Sequence, residues 1–173
     1  MDKMTITEGL AEIKTIGKRI EKKRDFVNQY LIRPDNVRDP LEKEGGSEIN
    51  IRKSVQGITD LYKRWVTIRL AIQKVNYETQ LTIKGQSMSI AQWLIWRREV
   101  SQHLKGFWDS LADQINKRTQ YTYTTVTGSK EILSAIVSYP ASAITEEREL
   151  LESVLGELDG QLSLKNATTF IEV

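Results

Sequence analysis

The sequence predicts a mainly α-helical protein, an antiparallel bundle or coiled coil of long helices with a small β element. Three observations predict this fold class. Apolar residues recur at three- and four-residue steps over long segments, as they do in packed helices. Two capping boxes, in which a hydroxyl residue is followed three positions later by Glu or Gln, mark helix starts. Short alternating stretches, typical of strands, follow three of the helices.

The first helix is predicted to begin at Thr5, where Glu8 completes a capping box. Pro34 cannot continue a helix, so residues 34–47 are predicted to form a polar loop. The predicted buried stripe of this helix comprises Ile6, Leu10, Ile13, Ile20, Val27 and Leu31.

A second helix is predicted over residues 50–77, and a short strand over residues 80–83 that ends at Gly85. The predicted stripe of this helix comprises Ile51, Val55, Ile58, Leu61, Trp65, Ile68, Ile72 and Val75.

The third helix is predicted to begin at Ser89, with Gln92 as its capping-box partner, and to reach about Arg118. Its predicted buried face comprises Leu94, Val100, Leu104, Phe107, Leu111 and Ile115.

The remaining segments are shorter. Alternating Tyr and Thr over residues 120–127 predict a strand, and residues 130–137 are predicted to form a helical turn. The fourth helix is predicted to follow Thr145, and residues 169–173 are again strand-like.

Two alignments within the chain indicate an internal duplication. Residues 4–10 align with 88–94 at an offset of 84, and residues 76–83 align with 166–173 at an offset of 90. We therefore predict two helix–helix–strand repeats, residues 1–84 and 85–173, that share one core. The asparagine that opens the second motif, Asn76 or Asn166, is predicted to cap its helix. The two strands that end the repeats are predicted to pair with each other.

The duplicated motifs also carry a family resemblance. Residues 4–8, 76–81, 85–89 and 166–169 resemble those of septicolysin-like bacterial proteins, across most of the chain. The resemblance implies a small protein with long helices that tends to oligomerise, and it brings no catalytic residues. The family name implies a thiol-activated cytolysin. This chain has no cysteine and no predicted hairpin long enough to form a pore, so cytolytic activity is not carried over.

Composition excludes several classes of site. The 173 residues include 25 basic and 23 acidic side chains, and a net charge of +2 is too small to imply a nucleic-acid or membrane partner by itself. The absence of cysteine excludes disulfides, thiolate metal sites and a cysteine nucleophile. His103 is the single histidine, and no cluster of ligands surrounds it in the sequence. No metal or cofactor is predicted. The chain has neither a signal-like start nor an apolar run of membrane-spanning length, which predicts a cytoplasmic protein, or a virion protein if phage-encoded.

These observations predict a non-catalytic, self-assembling structural or scaffold protein, a component of a bacterial or phage assembly. Its partner is predicted to be a second copy of itself, and possible additional partners are other subunits of the assembly. The third helix is the predicted contact, because its tryptophans widen the apolar face beyond one stripe. The candidate interface residues are Trp93, Trp96 and Trp108.

Two alternative functions stay open at this point. A nucleic-acid-binding helical module would place phosphates against the basic run of the first helix, while Glu12 and Glu21 and the lack of accompanying aromatic residues favour a solvated surface. The second alternative is a membrane-active, cytolysin-like protein. The candidate phosphate contacts are Lys18, Arg19, Lys22, Lys23 and Arg24.

Overall fold

A computed structural model of the chain describes residues 3–117, 120–124, 128, 130–134 and 136–173. It is 75% helical, with four long helical segments, and this confirms a mainly α protein with a small β element. The helices are α1 (Ile6–Tyr30), α2 (Ser47–Glu78), α3 (Ile90–Ile95), α4 (Ser101–Lys117) and α5 (Ala141–Thr168). A π-helical segment, Trp96–Val100, joins α3 to α4. The strands are β1 (Lys3–Thr5), β2 (Gln80–Ile83), β3 (Gln86–Ser89), β4 (Gln120–Thr124), β5 (Lys130–Ser134) and β6 (Phe170–Glu172).

The chain forms two compact units. Unit 1 comprises residues 1–78 and 163–173, and unit 2 comprises residues 79–162. The chain therefore leaves unit 1 between α2 and β2, and returns to it within α5. These boundaries differ from those of the two repeats, whose division at residue 84 stays a prediction about the sequence.

Unit 1 is built on the antiparallel helix pair α1 and α2. Near the start of α1, Glu12 accepts from Arg64 (Nε to Oε1, 2.9 Å), and farther along α1 the side chain of Lys23 lies over Gly57. A position later in α1 thus meets one earlier in α2. Apolar side chains between the helices and from β6 form the core, which comprises Ile6, Ile13, Ile16, Ile20, Ile68, Ile72 and Ile171.

Unit 2 pairs α3, the π segment and α4 with the first part of α5, again antiparallel. Lys105 forms an ion pair with Glu152 (3.3 Å), while Asp109, one turn later, forms one with Arg148 (2.9 Å). The core of this unit comprises Leu81, Ile83, Ile90, Trp93, Leu158 and Leu162.

The capping boxes predicted at Thr5 and Ser89 are both confirmed. Each cap residue has an extended backbone, with ψ of 160° and 155°, so the residues before it continue as a strand. Met4 of β1 pairs with Ile171 of β6, and Met88 of β3 pairs with Leu81 of β2. These two pairs correspond at the offsets of 84 and 90, so both units use one strand register.

The predicted pairing of β2 with β6 is wrong. Each of these strands instead pairs antiparallel with the strand that precedes a capping box, β2 with β3 and β6 with β1. The reason is local for β2, because Lys84 and Gly85 both have positive φ (50° and 79°) and close a two-residue hairpin. The first backbone N–H of the helix after each capping box also donates to the residue that directly precedes the paired strand. Ile90 N donates to Thr79 O (2.9 Å), before β2, and Ile6 N donates to Thr169 O (3.0 Å), before β6.

The predicted stripes of α1 and α2 are partly wrong. Leu10 and Leu31 are exposed, whereas Gly9 and Ile16 are buried, since the helix turns its 6–9–13–16–20 face toward α2. On α2, Val55 is exposed and lies outside the buried stripe.

The predicted face of the third helix is wrong at Leu94, where the adjacent Trp93 is the buried residue, and again after the π segment. The π segment inserts an additional residue into the helical repeat, which rotates the face that follows it. Ser101 is consequently buried where Val100 was expected, and its Oγ donates to Arg97 O (2.6 Å). Leu94, Val100 and Phe107 are exposed.

Three further local predictions are wrong. Residues 130–134 form strand β5, whose pairing with β4 overrides the helical tendency of its sequence; residues 125–127 and 135 of these predicted elements lie outside the described residues. Helix α5 begins at Ala141, directly after Pro140, rather than after Thr145. Asn76 and Asn166 lie within the last turns of α2 and α5 and do not adopt the left-handed conformation of a cap.

The connection between α1 and α2 is organised by the Asp39 carboxylate. Ser47, the first residue of α2, donates both its Oγ (2.5 Å) and its backbone N–H (2.8 Å) to Asp39, and Leu41 N donates as well (2.9 Å). These hydrogen bonds, that of the Ser47 hydroxyl first, lower the pKa of Asp39 from 3.8 to about 2. The start of α2 thus depends on an ionised carboxylate.

We expect acid to weaken this connection over a defined pH range. Because the pKa of Asp39 is lower in the folded than in the unfolded chain, its stabilisation is present above pH 3.8 and is lost as the pH falls toward 2. Denaturant unfolding at several pH values should show a steeper loss of stability between pH 4 and 2 for the parent chain than for Asp39→Asn. Parallel pH profiles for the two proteins would contradict this assignment.

Candidate interaction surfaces

Trp93 belongs to the core of unit 2 and is only 1% exposed. Its indole Nε1 donates to Leu81 O (3.1 Å), and its ring packs among the apolar side chains of that core. The predicted position of Trp93 beside the buried stripe is therefore wrong. The residue has no surface to offer a second subunit, because Trp93 occupies the first inward-facing turn after the capping box.

Trp96 and Trp108 are half-buried and make ring contacts within unit 2. Trp96 meets Trp93 edge-on, with ring centroids 5.5 Å apart, and Trp108 stacks on Tyr139 at 6.3 Å. Phe107 lies against Trp108, with centroids 4.8 Å apart. These contacts account for much of the aromatic surface that suggested an interface. The involvement of Trp96 and Trp108 in a subunit contact stays a prediction.

A groove of about 830 Å³ lies in unit 2 between the π segment and α5. Its charged side chains are each in an ion pair: Arg97 with Asp159 (3.0 Å), Arg98 with Glu99 (2.6 Å) and Glu152 with Lys105 (3.3 Å). Gly156 forms part of the wall and has open space where a Cβ would stand. The groove therefore presents no unpaired cluster of charge for a ligand.

The basic run of α1 divides between two sides of the helix. Lys18, Arg19, Lys22 and Lys23 fall within an arc of about 140° at 100° per residue, and Arg24 points elsewhere. Arg19, Lys22 and Lys23 line a surface cavity of about 520 Å³ together with Gly57, Asp60 and Leu61 of α2. Asp60 is itself paired with Lys63 (3.7 Å). Four basic side chains on one side of α1 could contact phosphates together, as the nucleic-acid alternative requires. No aromatic side chain lines the cavity formed by three of them.

His103 is exposed on α4. Among the described residues, no group of three or more His, Asp or Glu side chains is placed to hold a metal ion. Within the same residues, no helix combines the length and apolarity that crossing a membrane requires.

A regular apolar feature of the surface lies on α2 and was missed in the sequence. Val55, Val66 and Tyr77 are spaced eleven residues apart, and Tyr62 and Leu70 fall between them. All five are between 49% and 67% exposed. An eleven-residue repeat contains 3.67 residues per turn, so these side chains stay on one side of a nearly straight helix. We call these five residues the α2 stripe; its period is the signal that would have revealed it.

The corresponding side of α5 shows that the fold does not require this stripe. The buried positions of the two helices match at an offset of 90, as with Ile68 and Leu158, both 0% exposed, and Ile72 and Leu162. At the same offset, the positions equivalent to the stripe carry small or polar residues. They are Thr145, Glu152, Gly156, Gly160 and Ala167.

Comparisons with known proteins support the fold. No protein-family model matches the chain, and no curated protein matches it significantly in sequence. A crystal structure described as a functionally unknown conserved protein from Corynebacterium diphtheriae is similar, with a TM-score of 0.61 and 17% sequence identity. The similarity covers 99% of this chain and 100% of that one. At this identity the likeness shows a shared fold and nothing about function.

Proposed function

We propose that the protein is a non-catalytic, self-assembling helical protein with a structural or scaffold role in a bacterial or phage assembly. The α2 stripe is the observation that carries this proposal. Single exposed apolar residues are ordinary on protein surfaces, but five of them in register along about 33 Å of helix are not. The α2 stripe replaces the tryptophans as the candidate contact with a second subunit.

The area of the stripe supports a second copy as its occupant. Five large, half-exposed side chains present roughly 500 Å² of surface, near the upper end of apolar patches on monomers. Two such stripes packed together would remove roughly 1,000 Å² from water, the level at which a specific interface becomes credible. Contact between identical stripes also needs no further protein. The resemblance to septicolysin-like proteins, which tend to oligomerise, agrees with this proposal.

We expect the purified protein to be a dimer or larger at micromolar concentration, and Leu70→Ser to lower its mass. Each subunit loses a buried leucine contact worth about 1.5–3 kcal/mol at full burial, so the dissociation constant should rise at least about tenfold. Light scattering coupled to size exclusion, over a concentration series, measures this change. Circular dichroism should show that helix content is retained.

Leu31→Ser is the matched control. Leu31 and Leu70 are both 59% exposed, but Leu31 lies beyond the end of α1 and outside the stripe. This variant should leave the mass unchanged. A monomeric parent protein at all concentrations would overturn self-assembly. The side of α1 that carries Lys18, Arg19, Lys22 and Lys23 would then be the better candidate surface. Salt-dependent retention on duplex DNA would be the measurement.

A further inference from the structure

The α2 stripe reads nearly the same in both directions around Val66. Tyr62 and Leu70 lie four residues to either side of it, and Val55 and Tyr77 lie eleven residues to either side. Thr59 and Gln73, exposed polar residues within the arc of the stripe, are also equidistant from Val66, at seven residues, and the exposed Lys63 and Arg69 flank the arc at three residues to either side. The stripe is therefore approximately palindromic in position and in polarity.

We propose that α2 pairs with α2 of a second copy, antiparallel, across a two-fold axis at Val66. This inference rests on the proposed self-assembly and adds its geometry. In this register Val66 meets its own equivalent, Tyr62 meets Leu70 of the second copy, and every apolar position faces another. The polar residues then face each other as well, Thr59 against Gln73, and a hydroxyl and a carboxamide form a hydrogen bond.

Shifted antiparallel registers lack this match. Sliding one helix so that Gln73 faces Val55 of the second copy sets its carboxamide against an apolar side chain, and leaves that polar group buried without a partner. Parallel pairing in register also faces polar residues with polar residues, Gln73 with Gln73, but it does not require a pattern that is symmetric about Val66, whereas antiparallel pairing does.

The absence of cysteine from the chain makes disulfide trapping a clean test. Val66→Cys should form a disulfide-linked dimer under mild oxidation, since the two equivalent Cβ atoms meet at the axis. Thr67→Cys, exposed on the adjacent side of the helix, is the control, and it should cross-link at least about tenfold more slowly. Val55→Cys and Tyr77→Cys, carried by copies of different mass, should cross-link with each other and not with themselves.

Each other outcome has a definite meaning. Cross-linking of Val55→Cys with itself would overturn the antiparallel register in favour of a parallel pair, while leaving self-assembly intact. Cross-linking of Val66→Cys with Gly156→Cys in a mixture would overturn it in favour of a head-to-tail contact between α2 and the open side of α5. A dimer by mass in which none of these positions cross-link would remove the α2 stripe from the interface. A monomer by mass would overturn the proposed function itself.

Discussion

Replacing Trp93 with alanine is expected to lower the free energy of unfolding by about 3–5 kcal/mol, the range for large aromatic side chains in cores. The ring is 1% exposed, and its removal would leave a large cavity among Ile90, Leu158 and Leu162. It would also deprive Leu81 O of its hydrogen bond from the indole. Denaturant unfolding followed by circular dichroism measures the loss.

Two further variants test whether Trp93 acts through packing. Trp93→Phe keeps most of the apolar contact but loses the indole N–H, so a smaller loss of about 1–3 kcal/mol is expected. Trp96→Ala should also lower the free energy of unfolding less than Trp93→Ala, because Trp96 is only half-buried.

The chain forms two compact units, so Trp93→Ala should also change the shape of the unfolding curve. A separate transition of unit 2 would appear before unit 1 unfolds. A loss below about 1 kcal/mol for Trp93→Ala would contradict its place in the core.

Local signals in the sequence were sufficient to predict the long helices and the starts of two of them. The capping boxes at Thr5 and Ser89 depend on residues three positions apart, which any sequence displays directly. The strand at residues 80–83 was visible for the same reason, since its alternation and Gly85 are contiguous. Such features follow from short-range chemistry, and the structure retains them.

The pairing of strands and the rotation of helices could not be predicted in this way. Neither β1 nor β6 is long enough to identify its partner, and β1 to β6 is a contact between opposite ends of the sequence. The π segment has no composition that marks it, yet it turned Val100 outward and Ser101 inward. Trp93 was misplaced because its sequence equivalent, Gly9, offered no sign that this position faces the core.

Gly9 and Trp93 occupy equivalent positions in the two units, and their surroundings differ accordingly. The side chains around Gly9 are Ile68, Ile72 and Ile171, and their equivalents at the offset of 90 are the leucines that share a core with Trp93. In unit 1 the isoleucines approach the backbone of α1 and fill the space directly. In unit 2 the indole fills it. The two cores are thus filled in different ways: by larger neighbouring contact around a glycine in unit 1, and by a large side chain at the equivalent position in unit 2.

Replacing Gly9 with leucine is therefore expected to destabilise the protein by about 2–3 kcal/mol, the upper part of the range for overpacked cores. A Cβ at this position would already lie 3.0 Å from Ile171 Cδ1 and 3.2 Å from Ile68 Cγ2, so the rest of the side chain has no space. The loss should exceed the gain of about 1 kcal/mol in helix propensity that any glycine replacement brings.

Gly17→Ala is the control for that gain. A Cβ there would lie 3.6 Å from the ring of Trp65, an ordinary contact, so the variant should be as stable as the parent or up to about 1 kcal/mol more stable. Combining Gly9→Leu with Ile171→Ala tests the cause, because removing the nearest side chain should make the double variant lose less than the two single losses added together. Strictly additive losses, or a stable Gly9→Leu protein, would show that α1 moves away from α2 at little cost and that contact at Gly9 does not hold the pair together.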